Sequence, residues 1–334
     1  MNETQRIETA PVFDEAVIRT ENLSKVFGQD TAAEETAVDQ INLAVPPGSI
    51  FGFVGPSGCG KTTTVRLLLG IYKPSSGMAH VFNCQPQKFT RREQEKIGYI
   101  PQLFVLYPEL TVWENLNFAA SLYGVSWRRK DRLHELLALV ELEGHQNKLV
   151  NNISGGMRRR LSMAAALVHE PRLVFMDEPT AGIDPVLRRT FWDYFATLKE
   201  KGHTLFVTTQ YVGEAAHCDY VGVMVNGRLI ALDTPTQLRR QIMGGDIIKL
   251  STEEYLSHTI FSDLKNQPFL KEQQLSRQAD NNLHMIVDDA SATIPVVINW
   301  FQQNDIAVRA INEYVPPFDD VFIKLVEETT DGEA

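Results

Sequence analysis

The chain has 334 residues, of which 43% are hydrophobic and 22% charged, and this is typical of a folded protein large enough for two domains. It contains no apolar run near the eighteen or so residues of a membrane span, and its polar N-terminus lacks the apolar core of a secretory signal. Its three widely spaced cysteines favour neither a disulfide framework nor a metal site, so we expect a reducing, cytoplasmic environment.

The charge is unevenly distributed along the chain. The net charge is −10, and residues 246–334 alone carry 6 Lys or Arg against 16 Asp or Glu. We therefore expect a domain boundary at Met243–Asp246, where two glycines also occur. An acidic second domain argues against nucleic acid or an anionic lipid surface as its partner. Basic clusters at 127–132 and 157–160 fall in helical patterns, and we expect them to form solvated helix faces.

The first strong motif, "GPSGCGKTT", follows an apolar strand at 49–54 and precedes a helix that ends at Gly70. It fits G-x-x-x-x-G-K-[ST], and the strand–helix context disfavours a chance match. Its glycines let backbone N–H groups turn toward phosphate oxygens, its lysine reaches the β- and γ-phosphates, and its threonine binds Mg²⁺. The predicted nucleotide-binding residues here are Gly55, Pro56, Ser57, Gly58, Cys59, Gly60, Lys61, Thr62 and Thr63.

Cys59 lies beside Lys61 and a helix N-terminus, and both conditions lower the pKa of a thiol. We expect alkylation of this cysteine to block ATP binding, and bound Mg-ATP to protect it. The alternative is that the loop merely tolerates a small residue at this position.

A second motif, "NNISGGMRRRLSMAAALVHEP", spans residues 151–171. It places Ser154, Gly155 and Gly156 at the start of an amphipathic helix. A serine N-cap followed by two glycines forms a helix end that can bind an anion, although an ordinary cap is the simpler interpretation when this motif is taken alone.

A third motif, "RLVFMDEPTAGID", spans residues 172–184 and ends an apolar strand in Asp177 and Glu178. Two adjacent carboxylates are costly unless a cation is near, and Mg²⁺ is the obvious candidate. Asp177 would hold the metal, and Glu178 would take a proton from the attacking water. Strand-end carboxylates often only cap the next helix, but the preceding phosphate-loop motif strengthens the catalytic interpretation.

The order of these motifs resembles the nucleotide-binding subunit of ATP-binding cassette (ABC) transporters over residues 17–240. The resemblance implies an α/β fold, a P-loop ABC nucleotide-binding domain with a helical subdomain at 103–165. In that family the signature serine and glycines contact the γ-phosphate bound by the opposite subunit. Two ATP molecules then lie between the subunits of a head-to-tail dimer, here a homodimer or a heterodimer.

The same resemblance assigns three further residues. Phe27 falls where an aromatic ring stacks on adenine, with core packing as the alternative. Gln102 matches the glutamine that contacts Mg²⁺ and the attacking water, and it begins the segment that senses the membrane partner. Asp184 matches the loop that crosses the dimer interface. The helical subdomain would grip a short helix of a separate permease with about six transmembrane helices.

Two positions depart from the commonest family pattern. Met157 replaces the usual glutamine of the signature, and Gln210 replaces the usual histidine after the strand "TLFVTT". "ISGGMRRRLSMA" and "TTQYVGEA" resemble bacterial exporters of the daunorubicin-resistance type, which carry drugs, antibiotics or polysaccharides. Gln210 would donate its amide N–H to the γ-phosphate without titrating near pH 6.5. The alternative is that Gln210 only caps the helix that follows.

The remaining sequence predicts a hairpin and a second domain. Asn226-Gly227 between apolar runs indicates a type I′ turn. After Gly245 the pattern predicts a β-α-β-β-α-β order with a final helix, a small α+β ferredoxin-like arrangement. The predicted segments are a flexible N-terminal extension at 1–16, an ABC ATPase domain at 17–243, an acidic regulatory or dimerisation domain at 246–328 and a flexible tail at 329–334.

These observations predict an ATPase subunit, peripheral on the cytoplasmic face of the cell membrane, that drives export through a separate permease. The alternative is a soluble ABC ATPase of translation or DNA repair, but those proteins resemble tandem cassettes or cassettes split by a coiled coil. This chain has one phosphate loop, one signature and no long heptad insertion. An inactive subunit would have lost Lys61 or Glu178, and both are present. The transported substrate cannot be inferred, because it would bind the partner.

Overall fold

The computed structural model describes residues 15–29, 33–103, 105–126, 128–278 and 281–331. Residues 1–14 of the predicted N-terminal extension, and the last three residues of the predicted tail, lie outside this part. The chain divides into two compact units, and the boundary lies between Thr234 and Pro235. Within the described ranges, no helix combines the length and the apolar character that a membrane span requires.

Two sheets form the framework of the first unit. Its strands are β1 Ile18–Phe27, β2 Glu35–Val45, β3 Ile50–Val54, β4 Ser76–Val81, β5 Ile97–Ile100, β6 Leu173–Asp177, β7 Thr204–Thr209, β8 Tyr220–Val225 and β9 Arg228–Asp233. The antiparallel sheet has the order β2-β1-β4, and the larger sheet has the order β5-β6-β7-β3-β8-β9. In the larger sheet only β9 runs antiparallel to its neighbour.

Helices cover the larger sheet and form the predicted insertion. They are α1 Lys61–Leu68, α2 Arg91–Gln94, α3 Val112–Leu122, α4 Lys130–Leu139, α5 Gly155–Leu167 and α6 Pro185–Glu200. The three helices α3 to α5 lie between β5 and β6 in sequence and pack together, as the sequence predicts for the helical subdomain. A capping box begins α3, in which the Thr111 side chain and Glu114 satisfy each other's backbone N–H groups.

The parallel strands are largely apolar and buried, as is typical of a sheet that is covered on both faces. All five residues of β3 and all six of β7 are buried, and the rings of Phe51 and Phe206 stack at a centroid distance of 5.2 Å. Val54 pairs with Thr209, and Asp177 pairs with Thr208. The carboxyl ends of β3, β7 and β6 therefore lie side by side at one edge of the sheet, where ligands bind in such folds.

The β8–β9 hairpin has the predicted turn. Asn226 and Gly227 both have positive φ angles, 48° and 82°. A type I′ turn requires this conformation at both central positions, so the sequence prediction is confirmed.

The second unit consists of one four-stranded sheet and four helices in its described part. The elements are α7 Pro235–Met243, β10 Asp246–Thr252, α8 His258–Lys265, β11 Leu275–Arg277, β12 Asn282–Val287, α9 Ala290–Gln303, β13 Val308–Tyr314 and α10 Phe318–Asp331. The sheet order is β11-β12-β10-β13, and every pairing is antiparallel. An apolar core lies among the sheet, α8 and α9.

The boundary between the two units lies earlier in the sequence than the change in charge predicts. Helix α7, which the composition places in the first domain, packs against α10. The Arg239 Nε donates to the Pro316 carbonyl at 3.2 Å, and its guanidinium lies over the Phe318 ring at 5.6 Å. The predicted boundary at 243–246 is therefore wrong, and α7 belongs to the second unit. The tail predicted from residue 329 is also wrong in its described part, because α10 continues to Asp331.

Candidate functional site

The phosphate-loop sequence forms a tight turn between β3 and α1. The Gly55 N–H donates to the Thr209 carbonyl at 3.2 Å, which fastens the loop to the end of β7. A Cβ on Gly55 would overlap the Met224 carbonyl, and Gly60 has a φ of 109° just before α1 begins. Both positions therefore require glycine, for close approach in one case and for backbone conformation in the other.

Lys61 lies inside this loop and is only 4% exposed. Its Nζ donates to the carbonyls of Gly55 at 2.8 Å and Pro56 at 2.9 Å, and it is 3.6 Å from Oε1 of Glu178. The loop's own carbonyls and one carboxylate thus satisfy the buried ammonium, as a buried charge requires. Phosphate oxygens offer the same kind of acceptor, so the ammonium is placed to exchange these partners for a nucleotide.

Cys59 does not have the environment that the sequence predicts. Its side chain is buried, and its Sγ lies 4.0 Å from the Lys61 Nζ. Burial raises the pKa of the Cys59 thiol, although Lys61 acts in the opposite direction. The expectation of a lowered pKa is therefore wrong, and the alternative of a small residue accommodated by the loop fits better.

Thr62 and Asp177 meet at the expected metal position. Oδ1 of Asp177 accepts from Thr62 Oγ1 at 3.0 Å and from Thr208 Oγ1 at 2.7 Å, and Asp177 is 1% exposed. Hydroxyl and carboxylate oxygens are hard ligands, and Mg²⁺ is usually held by one or two carboxylates together with substrate phosphates. The donor set therefore fits Mg²⁺. Gln102, the third predicted ligand, instead donates from Nε2 to Glu178 Oε2 at 3.0 Å.

Glu178 lies at the centre of the polar cluster, with Lys61 on one oxygen and Gln102 on the other. Its φ of 48° is a left-handed conformation that costs a non-glycine residue about 1 kcal/mol or more. Its N–H donates to Thr208 Oγ1 at 2.9 Å, which helps to hold the conformation. A carboxylate fixed beside a lysine and an amide is suited to accept a proton from a positioned water.

Arg159, which the sequence analysis assigned to a solvated helix face, is buried and only 4% exposed. From α5 it donates to the carbonyls of Pro101, Gln102, Glu178 and Pro179. Burial lowers the pKa of its guanidinium, while the carboxylates of Asp177 and Glu178 act in the opposite direction. Helical periodicity could have indicated this burial, because Arg159 shares one side of α5 with the buried residues Ser162, Met163 and Ala166.

The signature segment is exposed. Ser154 caps α5, and its Oγ accepts from the Met157 N–H at 3.2 Å. Gly155 is exposed, and a Cβ added there would meet no atom within 4 Å. The start of α5 is therefore open to an external partner, whereas Lys61 and Asp177 beside the phosphate loop are buried.

Gln210 directly follows β7 and is exposed. The 3₁₀ helix at Val212–His217 has Tyr211 at its N-cap and no side-chain capping bond, so capping by Gln210 is not its role in this structure. Instead the Tyr211 N–H donates to Thr209 Oγ1 at 3.0 Å.

Glu214 is a second buried charged residue that no sequence motif indicates, and it is 4% exposed. Its Oε2 accepts from Thr180 Oγ1 at 3.0 Å and from Thr209 Oγ1 at 2.6 Å. Its Oε1 lies 3.6 Å from Arg188 Nε, and the Arg188 guanidinium stacks on Tyr211 at 3.9 Å. Glu214 therefore connects the segment that carries Gln210 to the loop that follows Glu178.

Phe27 and Asp184 lie away from the polar cluster. Phe27 is half-buried and has the ring of Tyr72 edge-on at 5.5 Å. Asp184 is exposed and caps α6, where its Oδ1 accepts from the N–H groups of Val186 and Leu187 at 3.0 Å each. Adenine stacking by Phe27 and an interface role for Asp184 stay predictions.

Known proteins resemble this chain in sequence. The sequence pattern of a family described as ABC transporter matches residues 38–181. The probable multidrug ABC transporter ATP-binding protein YbhF of Escherichia coli strain K12 is 38% identical over 231 residues, which cover 68% of this chain and 39% of that protein. This chain therefore spans less than half of that relative. Nod factor export ATP-binding protein I of Cupriavidus metallidurans is 35% identical over 241 residues, covering 72% of this chain and 78% of that protein.

A solved structure also resembles the chain in fold. The ATP-binding cassette MJ0796, in a dimeric post-hydrolysis state bound to ADP and Pi, superposes with a TM-score of 0.59 at 25% identity. The match covers 65% of this chain and 98% of that one. The predicted α/β cassette fold is confirmed for the first unit.

Proposed function

The chain belongs to the family of ABC transporter ATP-binding proteins, and we propose that it hydrolyses ATP to power a separate membrane permease. The observation that carries this proposal is the convergence of Lys61, Thr62, Asp177, Glu178 and Gln102 at one edge of the sheet. These residues come from three separate segments of the chain, and a cluster of one cation, two carboxylates, a hydroxyl and an amide suits phosphoryl chemistry.

The phosphate loop binds the triphosphate of ATP. Backbone N–H groups at the start of α1 face the phosphates, and Lys61 exchanges its carbonyl partners for β- and γ-phosphate oxygens. Thr62 and Asp177, with Gln102 from the neighbouring segment, would hold Mg²⁺, which neutralises charge on the phosphates when it is bound. Phe27 provides an aromatic surface for the adenine ring.

Glu178 is the general base for the attacking water. Lys61 and Gln102 each hold one oxygen of its carboxylate, so the carboxylate has a fixed direction, and the attacking water would exchange with the Gln102 amide at Oε2. Gln210 donates to the γ-phosphate from the neighbouring strand end. An uncharged amide does not titrate near neutral pH, so this hydrogen bond does not depend on pH.

A second ATPase subunit completes the site. Ser154, Gly155 and Asp184 are exposed, and the N-terminus of α5 presents backbone donors to solvent. In a head-to-tail dimer these groups would meet the γ-phosphate held by the opposite subunit. The dimeric ADP-bound cassette supports this arrangement, which a homodimer or a heterodimer can satisfy.

An exposed apolar patch supports a membrane partner. It lies just after Gln102 and on α3, and Leu103 is 81% exposed. The exposed apolar side chains of this patch are Leu103, Val105, Tyr107, Phe118 and Leu122. An apolar patch of this kind marks an interaction site. We assign it to a helix of a permease with about six spans, which places the chain on the cytoplasmic face of the cell membrane.

The export direction rests on the relatives. The Cupriavidus protein is named for Nod factor export and the Escherichia protein for multidrug transport. Both names favour a transport subunit over a soluble ABC ATPase of translation or DNA repair. After α7, the second unit has the element order β-α-β-β-α-β followed by a helix, and we assign it a ferredoxin-like fold with a regulatory or dimerisation role.

Hydrolysis of Mg-ATP by the purified full chain tests the ATPase assignment. Lys61→Ala should abolish ATP binding and hydrolysis, because it removes the cation that holds the phosphates. Lys130→Ala, at an exposed position on α4, is the matched control and should keep both. Hydrolysis by Lys61→Ala at the parental rate would contradict the proposal.

Capture from detergent-solubilised membranes tests the permease partner. The tagged full chain should retain a protein with about six apolar spans. Leu103→Asp should lose this partner and keep ATP hydrolysis, whereas Ile71→Asp, at an exposed apolar position outside the patch, should keep both. Equal retention by both variants would remove the patch from the permease interface.

A further inference from the structure

Arg159 joins three segments that serve different parts of the site. Its Nη1 donates to the carbonyls of Pro101 at 3.2 Å and Gln102 at 2.9 Å. Its Nε donates to Pro179 at 2.8 Å, and its Nη2 donates to the carbonyl of Glu178. The planar guanidinium thus bridges the Gln102 segment and the Glu178 turn, and its fixed donor geometry ties their relative position.

Arg159 contacts Glu178 at its backbone carbonyl, and the backbone of Glu178 is strained. Glu178 has a positive φ, and such conformations persist only where the surroundings hold them firmly. The Thr208 hydroxyl fixes the N–H side of this residue, and Arg159 fixes its carbonyl side. The direction of the Glu178 carboxylate therefore depends on Arg159 as well as on its own strand.

The other end of this connection is the signature segment. Arg159 belongs to α5, whose first turn carries Ser154 and Gly155. Arg159 is five positions after Ser154, which is about 7.5 Å along the axis of a rigid helix. A shift of Gln102 or Glu178 toward bound ATP would therefore move the helix that presents the signature.

We propose that Arg159 is a positioning residue that couples each chain's own ATP site to its signature segment, and through that segment to the site of the opposite chain. The inference rests on the proposed ATP-dependent dimer. Gln102 and Glu178 serve the ATP held by the same chain, while Ser154 and Gly155 serve the ATP held by the partner. Arg159 makes side-chain contact with the first pair and shares a helix with the second.

Measuring the ATP-bound dimer distinguishes a coupling role of Arg159 from a role in packing α5. The test uses the full chain in a Glu178→Gln background, where bound ATP is not consumed. Arg159→Lys keeps the positive charge but replaces the fork of donors with a single ammonium, so it cannot hold both segments in the same geometry. Arg132→Lys is the matched control, since Arg132 also donates to a carbonyl of α5, at Leu167, but contacts neither segment.

Two quantities are measured for each variant with ATP and Mg²⁺. Affinity for a fluorescent ATP analogue, at protein concentrations where the chain is monomeric, should stay within about twofold, which is the ordinary error of additivity. The dissociation constant of the ATP-bound dimer should rise about tenfold or more for Arg159→Lys, as expected when a coupling free energy is lost. Arg132→Lys should change neither quantity beyond the same twofold.

Three results would overturn the inference. Unchanged dimer formation by Arg159→Lys would show that the two sites are not coupled through it. A parallel loss of ATP affinity would confine the residue to its own site, and an equal loss by Arg132→Lys would assign the effect to packing of α5. If the Glu178→Gln parent binds ATP but forms no dimer, the proposed dimer itself fails, and that result is recognised without any Arg159 variant.

Discussion

The nucleotide-facing surface of the first unit has two parts of opposite character. Around the phosphate loop, Lys61 and Asp177 are almost fully buried, and carbonyl or hydroxyl groups of the same chain satisfy them. At the signature end, Ser154 and Gly155 are exposed, and Gly155 has open space in front of it. Gln210, which directly follows β7, is exposed as well.

The difference in burial separates groups suited to the reaction from groups suited to association with a second chain. Chemistry needs groups whose positions are fixed in advance, and enclosed partners provide this for Lys61, Asp177 and Glu178. Recognition of a second chain needs donors that remain free until the partner arrives. We therefore infer that the buried groups around the phosphate loop, the enclosed part, control the reaction within one chain, and that the signature end, the exposed part, controls association.

The largest expected effect lies in the enclosed part. Glu178→Gln removes the base but keeps the shape of the side chain, so turnover should fall about 10²-fold or more. ATP should still bind, because Lys61 and the loop are unchanged, and the ATP-bound dimer should accumulate. Steady-state hydrolysis and size-exclusion chromatography with Mg-ATP measure the two quantities. Parental turnover with a monomeric ATP-bound chain would remove Glu178 from this role.

Gln210 is exposed but is proposed to take part in the reaction, so its variants test the comparison between the two parts. Gln210→Ala removes one hydrogen bond to a charged group, worth about 1.5–3 kcal/mol, so hydrolysis should fall about tenfold to a hundredfold with little change in ADP affinity. Gln210→His should restore a donor and introduce a titration near about pH 6.5 that the parent lacks. Thermal unfolding of the same samples is the control, because a purely structural role would lower stability and leave turnover per folded molecule unchanged.

Glu214 sharpens the contrast between buried and exposed carboxylates. Glu214→Gln weakens bonds to Thr180 and Thr209 and removes the charge opposite Arg188, so the free energy of unfolding should fall by about 1–3 kcal/mol. Glu170→Gln, which breaks an exposed ion pair with Arg132, should cost no more than about 1 kcal/mol. Urea unfolding of both variants provides the comparison, and equal losses would contradict it.

The smallest expected effect lies outside both parts, at the base of the helical subdomain. His169 stacks on Tyr123 at a centroid distance of 3.6 Å, and its Nε2 lies 2.9 Å from the Ile97 carbonyl. Because a carbonyl only accepts, Nε2 carries the hydrogen, and within the described structure the buried Nδ1 has no hydrogen-bond partner. Burial lowers the pKa of this imidazole.

A base with a lowered pKa in the folded state stabilises the fold above its unfolded pKa of about 6.5, and this stabilisation is lost as the pH falls from there through the folded pKa. The melting temperature of the parent should therefore drop by a few degrees more between about pH 8 and pH 5 than that of His169→Gln, which keeps a donor and does not titrate. Identical drops would contradict the assignment.

Local motifs predicted much of the site because its residues lie at fixed spacings. The phosphate loop, Asp177, Glu178 and the Ser154 cap each follow from a short pattern joined to a strand or a helix. Cys59 shows the limit of such reasoning, because adjacent charge is visible in sequence whereas burial is not. Burial decided the direction of its pKa.

Long-range contacts account for the other misses. Arg159 is buried because the Gln102 and Glu178 turns converge on it, and neither turn is near it in sequence. Helix α7 joins the second unit because of its contact with α10, far along the chain, although its composition matches the first. The order of elements in the second unit agrees with the pattern that the sequence predicts after Gly245.

Mixing two inactive variants tests the central claim that each site combines the enclosed part of one chain with the exposed part of another. Lys61→Ala disables the phosphate loop. Gly155→Asp disables the signature by placing a carboxylate opposite the partner's γ-phosphate, and it should fold normally because a Cβ there meets no atom within 4 Å. In a mixed dimer one site carries both defects and the other carries none. Hydrolysis should therefore be absent from each variant alone and appear on mixing, whereas a mixture as inactive as its components would contradict the account.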